Sequence, residues 1–245
     1  MSGHSKWSTI KRKKAAIDSK RGKLFTKVVR EITSATRLGG GDPDGNPRLR
    51  LAIDKARDLN MPNDNIKRAI QKGQGADAGD AFEDILFEAY APFGVALLIE
   101  TLTDNRNRTV PSLRSALTKA GGSLATKGAV SYLFNQKGIF IFEPGVSEEQ
   151  VVDIATSNGA DDVDLKDDGS IEVDCDPSHF HGLNEALEKA KLKPSNASLE
   201  MIPTVSVPLT LEQAQKIMAL IEKLEDDDDV QAVHSNAEFP DEAMN

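Results

Sequence analysis

A chain of 245 residues with 39% hydrophobic and only 5% aromatic content has room for two or three small aliphatic cores, not one large one. Its single cysteine, Cys175, excludes an intramolecular disulfide and fits a reducing compartment, and the lack of any apolar run of about eighteen residues excludes a membrane-spanning helix. The formal net charge of −9 conceals a division: residues 1–75 carry 18 Lys/Arg against 7 Asp/Glu, whereas residues 76–245 carry 12 against 32.

The chain opens on a basic arm. Its cations are Lys6, the run Lys11, Arg12, Lys13 and Lys14, and the run Lys20, Arg21 and Lys23. Each cation placed near a phosphate releases condensed counterions, so this segment alone supplies non-specific nucleic-acid affinity. Ten Lys/Arg against one acid in the first thirty residues repel one another unless an anion receives them, which disfavours a merely solvated arm. No apolar segment follows the first charges, so the arm does not read as a secretory signal, and Asp18 with the helical pattern after it argues against a transit peptide. Trp7, the one tryptophan, sits among these cations. It either stacks on a base or packs on the following helices as a staple.

Three helices are expected next. Leu24, Val28 and Ile32 form an apolar stripe widened by Phe25 and Val29, with Lys20, Lys23, Lys27 and Arg30 at helical spacing on a different face. The helix stops at Gly39-Gly40-Gly41. A second begins at Asn46-Pro47, with Pro47 suited to the first turn, and a third runs from Met61-Pro62 to Gly73. Residues 74–80 read as a linker.

Beyond the linker the period changes from helix to strand. Residues 82–91 and 95–103 are expected to form a hairpin over Pro92-Phe93-Gly94, residues 105–120 a helix, and residues 130–134 a strand. Then follow strand 138–142, helix 148–157, strands 163–166 and 171–175, helix 178–191 and strand 199–202, the β-α-β-β-α-β order of a ferredoxin-like unit. A strand at 204–207, a helix at 211–224 and a strand at 230–234 complete the chain. Neither flank closes a sheet alone, so residues 81–136 are expected to pair with 204–245 around an inserted domain, 137–203. The head, residues 1–80, is then expected to move relative to an acidic body.

Several local patterns carry alternatives. Asp104 or Asn105 is placed to cap the helix that follows, which sets Arg106 and Arg108 beside a positive helix end. That placement suits an anion contact, most simply phosphate; the alternative is a capped turn with solvated arginines. Phe140 and Phe142 share a sheet face and read as aromatics covered by a neighbouring domain, not as base-stacking residues. Asp42-Pro43-Asp44-Gly45-Asn46 starts like a calcium loop, but the twelfth position is Ile53, so it reads as a helix–helix turn. The run Asp226 to Asp229 reads as a solvated helix end. His179 and His181 diverge on a helix, and with one cysteine no metal site is expected. Nucleophile-elbow, phosphate-loop, zinc-protease and dinucleotide fingerprints are absent from the sequence.

The sequence resembles the YebC/PmpR family through Gly3-His4-Ser5-Lys6-Trp7, Lys23-Leu24-Phe25-Thr26-Lys27, Asn46-Pro47-Arg48-Leu49-Arg50, Asn60-Met61-Pro62, Thr103-Asp104-Asn105-Arg106-Asn107-Arg108-Thr109 and Gly121-Gly122. The match is specific through about residue 135 and looser beyond. The resemblance implies an α+β fold: an N-terminal three-helix domain followed by two ferredoxin-like α/β domains, the second inserted into the first. It also implies a non-enzymatic, cytoplasmic regulator of gene expression without cofactor or metal. That family is usually labelled DNA-binding and transcriptional. Its mitochondrial relatives, translational activators of a cytochrome oxidase subunit, point instead to the ribosome and ribosomal RNA, including relief of stalling at proline-rich stretches. The expected partner is thus nucleic acid, DNA or ribosomal RNA, with the ribosome as a possible setting, no membrane, and a monomer by default. The expected contacts are Lys6, Trp7, Lys11, Arg12, Lys13, Lys14, Lys20, Arg21, Lys23, Lys27, Arg106 and Arg108.

Overall fold

The computed structural model describes residues 21–75 and 81–243. Lys6, Trp7, Lys11, Arg12, Lys13, Lys14 and Lys20 lie outside the described residues, as do 76–80 of the linker and the Arg21 side chain. The architecture is α+β. A helical N-terminal region precedes the sheets, and the described chain divides into two compact units, one of Tyr132–Ser206 and one of the residues before and after it.

Helices α1 (Arg21–Gly39), α2 (Pro47–Asp58) and α3 (Asn63–Gln74) share one aliphatic core that includes Val28, Ile32, Leu49, Ile53, Ile66 and Ala69. Asn46 accepts from the Leu49 N–H at the start of α2, while its amide nitrogen donates to the carbonyls of Ala35 and Gly40, each at 2.8 Å. One buried side chain thereby caps α2 and closes the connection from α1. The Asp42–Asn46 segment is a turn, with the Asp42 carboxylate accepting from the Asp44 N–H at 3.0 Å. Helix α3 approaches α1 closely at Gly73, where a Cβ would lie 2.6 Å from the Thr33 carbonyl oxygen. Only glycine tolerates that distance.

The chain continues through β1 (Glu83–Tyr90), β2 (Ala96–Thr103), α4 (Arg106–Lys119) and β3 (Ser123–Leu124). Next come β4 (Phe134–Phe142), α5 (Glu148–Ser157), β5 (Ala160–Leu165), β6 (Ile171–Cys175), α6 (Phe180–Lys189) and β7 (Asn196–Pro203). The last elements are β8 (Val207–Pro208), α7 (Leu211–Glu225), β9 (Val230–Ser235) and β10 (Ala237–Glu238).

In the unit that holds the helices, the sheet order is β3-β1-β2-β9, all antiparallel, with β2 pairing β9 at Leu98↔His234 across the whole intervening sequence. Leu113 and Leu117 of α4 and Ala214, Ile217 and Leu224 of α7 pack with Leu97 and Ile99 of β2 in one core. The short strands β8 and β10 pair in parallel, Ala237 opposite Val207. In the other unit the order is β5-β6-β4-β7, again antiparallel, which is the ferredoxin-like arrangement of a β-α-β-β-α-β chain.

Four local expectations differ. Residues 130–133 are not strand: β4 begins at Phe134, opposite Pro203, and runs unbroken to Phe142. Glu88 captures the N–H groups of Gly128, Val130 and Ser131, which takes the first two donors of this stretch from a ladder, and Ser131–Leu133 coil into a 3-10 turn. The strand that follows α4 is instead the two-residue β3, one segment earlier. The strand expected at 204–207 reduces to Val207–Pro208. Phe140 is covered within its own unit, its ring stacked 4.8 Å from Phe180 of α6, not by a neighbouring domain.

Candidate nucleic-acid interface

The cations of α1 do not form an open stripe. Lys23 donates to the Asp226 carbonyl and pairs with its carboxylate, both at 3.4 Å. The Lys27 ammonium reaches the Glu225 carbonyl at 2.5 Å, and Arg30 reaches the Asp228 carbonyl at 2.7 Å and the Asp229 carboxylate at 2.8 Å. These acceptors lie at the C-terminal end of α7 and in the acidic run behind it. Unsatisfied carbonyls and the negative end of the helix dipole make that point a cation acceptor. Lys27 is only 6% exposed, and burial lowers its pKa from the ordinary lysine value, with Glu225 pulling the other way. Its charge therefore faces inward, a correction to the expected accessible face: the periodicity showed a second face but not the acidic helix end that covers it.

Asp229 is the centre of this contact, and it corrects the reading of Asp226 to Asp229 as a solvated end. At 2% exposure it accepts from Arg30, from Nε and Nη2 of Arg108, and from the hydroxyls of Thr103 and Thr109. Burial pushes its pKa up, but the donors Arg108, Thr109 and Arg30 outweigh that and hold it below the ordinary aspartate value. Arg108 also pairs with Asp104 at 2.8 Å, and Asn105 caps α4 by accepting from the Arg108 N–H. The expected pair thus separates. Arg108 is bound to two carboxylates, whereas Arg106 is exposed and has no ion pair among the described residues.

Arg48 makes a second bridge between helices and sheet. Its guanidinium takes both oxygens of Glu31 on α1, at 2.6 and 3.1 Å, and both of Asp84 on β1, at 2.8 Å. The four contacts raise its pKa. The helical head is therefore joined to the sheet by charge contacts along the first half of α1, from Lys23 to Glu31, and not by the linker alone.

Other exposed cations went unnoticed in the sequence. Helix α3 turns Ile66, Ala69 and Gly73 to the core and Lys67, Arg68 and Lys72 outward. Arg114, Lys119 and Lys127 are exposed on α4 and the loop after it. The available signal was a run without acids: residues 105–142 contain no Asp or Glu in a region otherwise rich in them.

Among the described residues, no group of three or more His, Cys, Asp or Glu is arranged to hold a metal ion. Cys175 is buried, and burial pushes its thiol up to about 11, which suits packing and not nucleophilic chemistry. No described helix is long and apolar enough to cross a membrane.

Residues 5–76 match the family described as the TACO1/YebC protein N-terminal domain, and residues 82–237 match the TACO1/YebC second and third domain. The chain belongs to the TACO1/YebC family. A relative from Pseudomonas aeruginosa (strain PAO1), named transcriptional regulatory protein PmpR, is 51% identical over 244 residues, covering 100% of this chain and 98% of its own. One from Hamiltonella defensa, named probable transcriptional regulatory protein, is 50% identical over 242 residues, covering 99% and 95%. The crystal structure of a conserved hypothetical protein from Aquifex aeolicus superposes with a TM-score of 0.82 at 44% identity, covering 92% of this chain and 93% of that one. In this TACO1/YebC chain, two of the motifs that carried the resemblance serve the fold: Asn46-Pro47-Arg48 caps α2 and bridges to β1, and Thr103 to Thr109 builds the nest around Asp229.

Proposed function

We propose that this protein is a non-enzymatic, nucleic-acid-binding regulator of gene expression, cytoplasmic and monomeric, that engages its target through the N-terminal arm. The observation that carries the reading is the division of the head's cations. Lys23, Lys27 and Arg30 are matched by the end of α7. Upstream of them, Lys6, Lys11, Arg12, Lys13, Lys14, Lys20 and Arg21 face one acid, Asp18, in the sequence. Seven such cations give a steep electrostatic affinity for a polyanion, and Trp7 adds a stacking surface. The outward face of α3 and Arg106 extend the positive surface. The names of the relatives favour a transcriptional role, for which the target would be duplex DNA.

A second reading, a ribosome-directed translation factor on ribosomal RNA, is favoured by the excess of acid in residues 76–245. That excess repels an extended duplex and confines contact to the head, whereas a cationic arm with one aromatic suits folded RNA. Gel shifts of the full chain on duplex DNA and on structured RNA at matched salt, with co-sedimentation on ribosomal particles, separate the two. Duplex binding without co-sedimentation supports the first, and co-sedimentation that outlasts duplex binding as salt rises supports the second. Binding to neither removes both.

A further inference from the structure

We propose that the outer face of α4, where Arg114 and Lys119 flank Pro111, Ser115 and Thr118, is a second binding site, which takes the sugar–phosphate backbone of the nucleic acid that the arm engages. It rests on the nucleic-acid-binding reading above and adds a site outside the basic head.

Charge is the first observation. Residues 105–131 carry five Lys/Arg and no acid, inside a region with 32 Asp/Glu against 12 Lys/Arg. Cations elsewhere in that region draw acids: Lys137 takes Asp161 and Asp174, Lys166 takes Asp164 and Glu172, and Lys216 takes Glu212. Arg114 and Lys119 are exposed and have no ion pair among the described residues. Neither finds an acid three or four residues along the chain, where a helix usually supplies one.

Shape is the second. Thr109, Leu113 and Leu117 turn inward from α4 and are buried. On the opposite side, Pro111, Arg114, Ser115, Thr118 and Lys119 line one groove, and each of them is exposed. Arg114 and Lys119 stand five positions apart on the helix, so they rise on either side of the strip made by the three shorter side chains. Two long cations around a shallow floor with two hydroxyls offer what a nucleic-acid backbone uses, charge for the phosphate and Ser/Thr donors beside it. The groove has no aromatic or amide side chain to read a base.

The third observation places this helix beside the head. The segment Asp226–Asp229 is held from two sides. From α1, Lys23 pairs with Asp226 and Arg30 with Asp229. From α4, Ser112 donates to the Asp227 carboxylate at 2.5 Å and Arg108 pairs with Asp229. The start of α1, where the arm joins it, and the first half of α4 thus meet across four residues, and the acids Asp226 and Asp229 between them already have cations. The groove begins at Pro111, next to Ser112. A polyanion engaged by the arm therefore has this face within the same unit and beside the same acidic run.

The test uses the full chain and fluorescence anisotropy across a salt series, with a labelled DNA duplex of about twenty base pairs and a labelled RNA hairpin of similar size. Arg114→Ser with Lys119→Ser should weaken whichever complex the intact chain forms about tenfold and lower its log–log salt slope by about 1.5, as expected for two lost phosphate contacts. Ser115→Glu leaves both cations in place, sets a carboxylate between them and should weaken the same complex. Each variant should melt with the parent, because exposed side chains without ion pairs contribute little to folding. Lys189→Ser with Lys191→Asn removes equal charge at the end of α6, in the other unit, and should change the slope by less than about 0.5. Parental affinity and slope in the Arg114, Lys119 variant, while the intact chain still binds, overturn this site alone. An equal loss in the Lys189, Lys191 variant also overturns it, since net charge would then explain the effect. Loss of polyglutamate binding in the Arg114, Lys119 variant with nucleic-acid affinity unchanged overturns it in favour of an acidic protein partner. An intact chain that binds neither probe overturns the underlying reading as well.

Discussion

Arg30 and Asp229 stand 199 residues apart in the chain and 2.8 Å apart in the fold. The contact fastens the first helix to the acidic end of α7, and Arg108, Thr103 and Thr109 converge on the same carboxylate. A surface ion pair would contribute little, but this carboxylate is buried and receives donors from three elements. With the carbonyls at the end of α7 it holds Lys23, Lys27 and Arg30 within the fold.

Removing the carboxylate should show that dependence. Asp229→Ala removes the one carboxylate that Arg30, Arg108, Thr103 and Thr109 share, leaving Arg108 with Asp104 and Arg30 with the Asp228 carbonyl, and should lower stability by about 2–4 kcal/mol in denaturant titrations. Asp229→Asn, which keeps an acceptor oxygen, should lose less. A loss below about 0.5 kcal/mol in the alanine variant would make the cluster ornamental.

The same residue sets an acid limb. Its folded pKa lies below the ordinary aspartate value, so between the two the folded state binds fewer protons than the unfolded state. The contribution is complete above about pH 4, the unfolded value, and is lost as pH falls through the folded value. Stability measured against pH should therefore decline in that acid range, and Asp229→Asn should flatten the decline.

Glu88 of β1 offers a parallel case, holding the loop that follows β3. Burial raises its pKa, but hydrogen bonds from Val130, Gly128 and Ser131 outweigh burial and lower it overall. Glu88→Gln replaces an acceptor-only group by one whose amide opposes the loop's own N–H donors. It should cost about 1–3 kcal/mol and speed hydrogen exchange at Gly128, Val130 and Ser131 above that of β1. Uniform exchange changes across the sheet would contradict a local clamp.

Gly73→Ala tests the close approach of α3 to α1. Helix propensity alone favours alanine by about 1 kcal/mol. The Thr33 carbonyl 2.6 Å from the new Cβ opposes it, and the net effect should be destabilising by about 1–3 kcal/mol in thermal or denaturant unfolding. A stabilised variant would show that the helices separate freely there.

Much of this architecture was legible because it is periodic. Val28 and Ile32 in α1, the alternation through β1 and β2, and the β-α-β-β-α-β order of residues 134–203 each follow from local spacing. The departures arise where a distant partner decides. Lys27 has the spacing of an exposed cation and becomes buried because the Glu225 carbonyl meets it from 198 residues away. Asp229 sits in an acidic run of the kind that is usually solvated, and becomes buried because Arg30 and Arg108 close over it. Val130 has a strand-like side chain, but its N–H belongs to Glu88. Arg106 and Arg108 are alike in sequence and differ in the fold by two carboxylates, Asp104 and Asp229, both of which Arg108 holds. The arm residues from Lys6 to Lys20 rest on charge and resemblance alone.

The central claim is that the arm carries the affinity. The most direct measurement is the dependence of nucleic-acid affinity on salt for the full chain and for a chain lacking residues 1–20, with circular dichroism and thermal melting of both to check that the shortened chain is folded. Loss of Lys6, Lys11, Arg12, Lys13, Lys14 and Lys20 should abolish most binding at moderate salt and reduce the log–log slope by up to about 4–5. Equal affinity and an unchanged slope in the shortened chain would contradict the account.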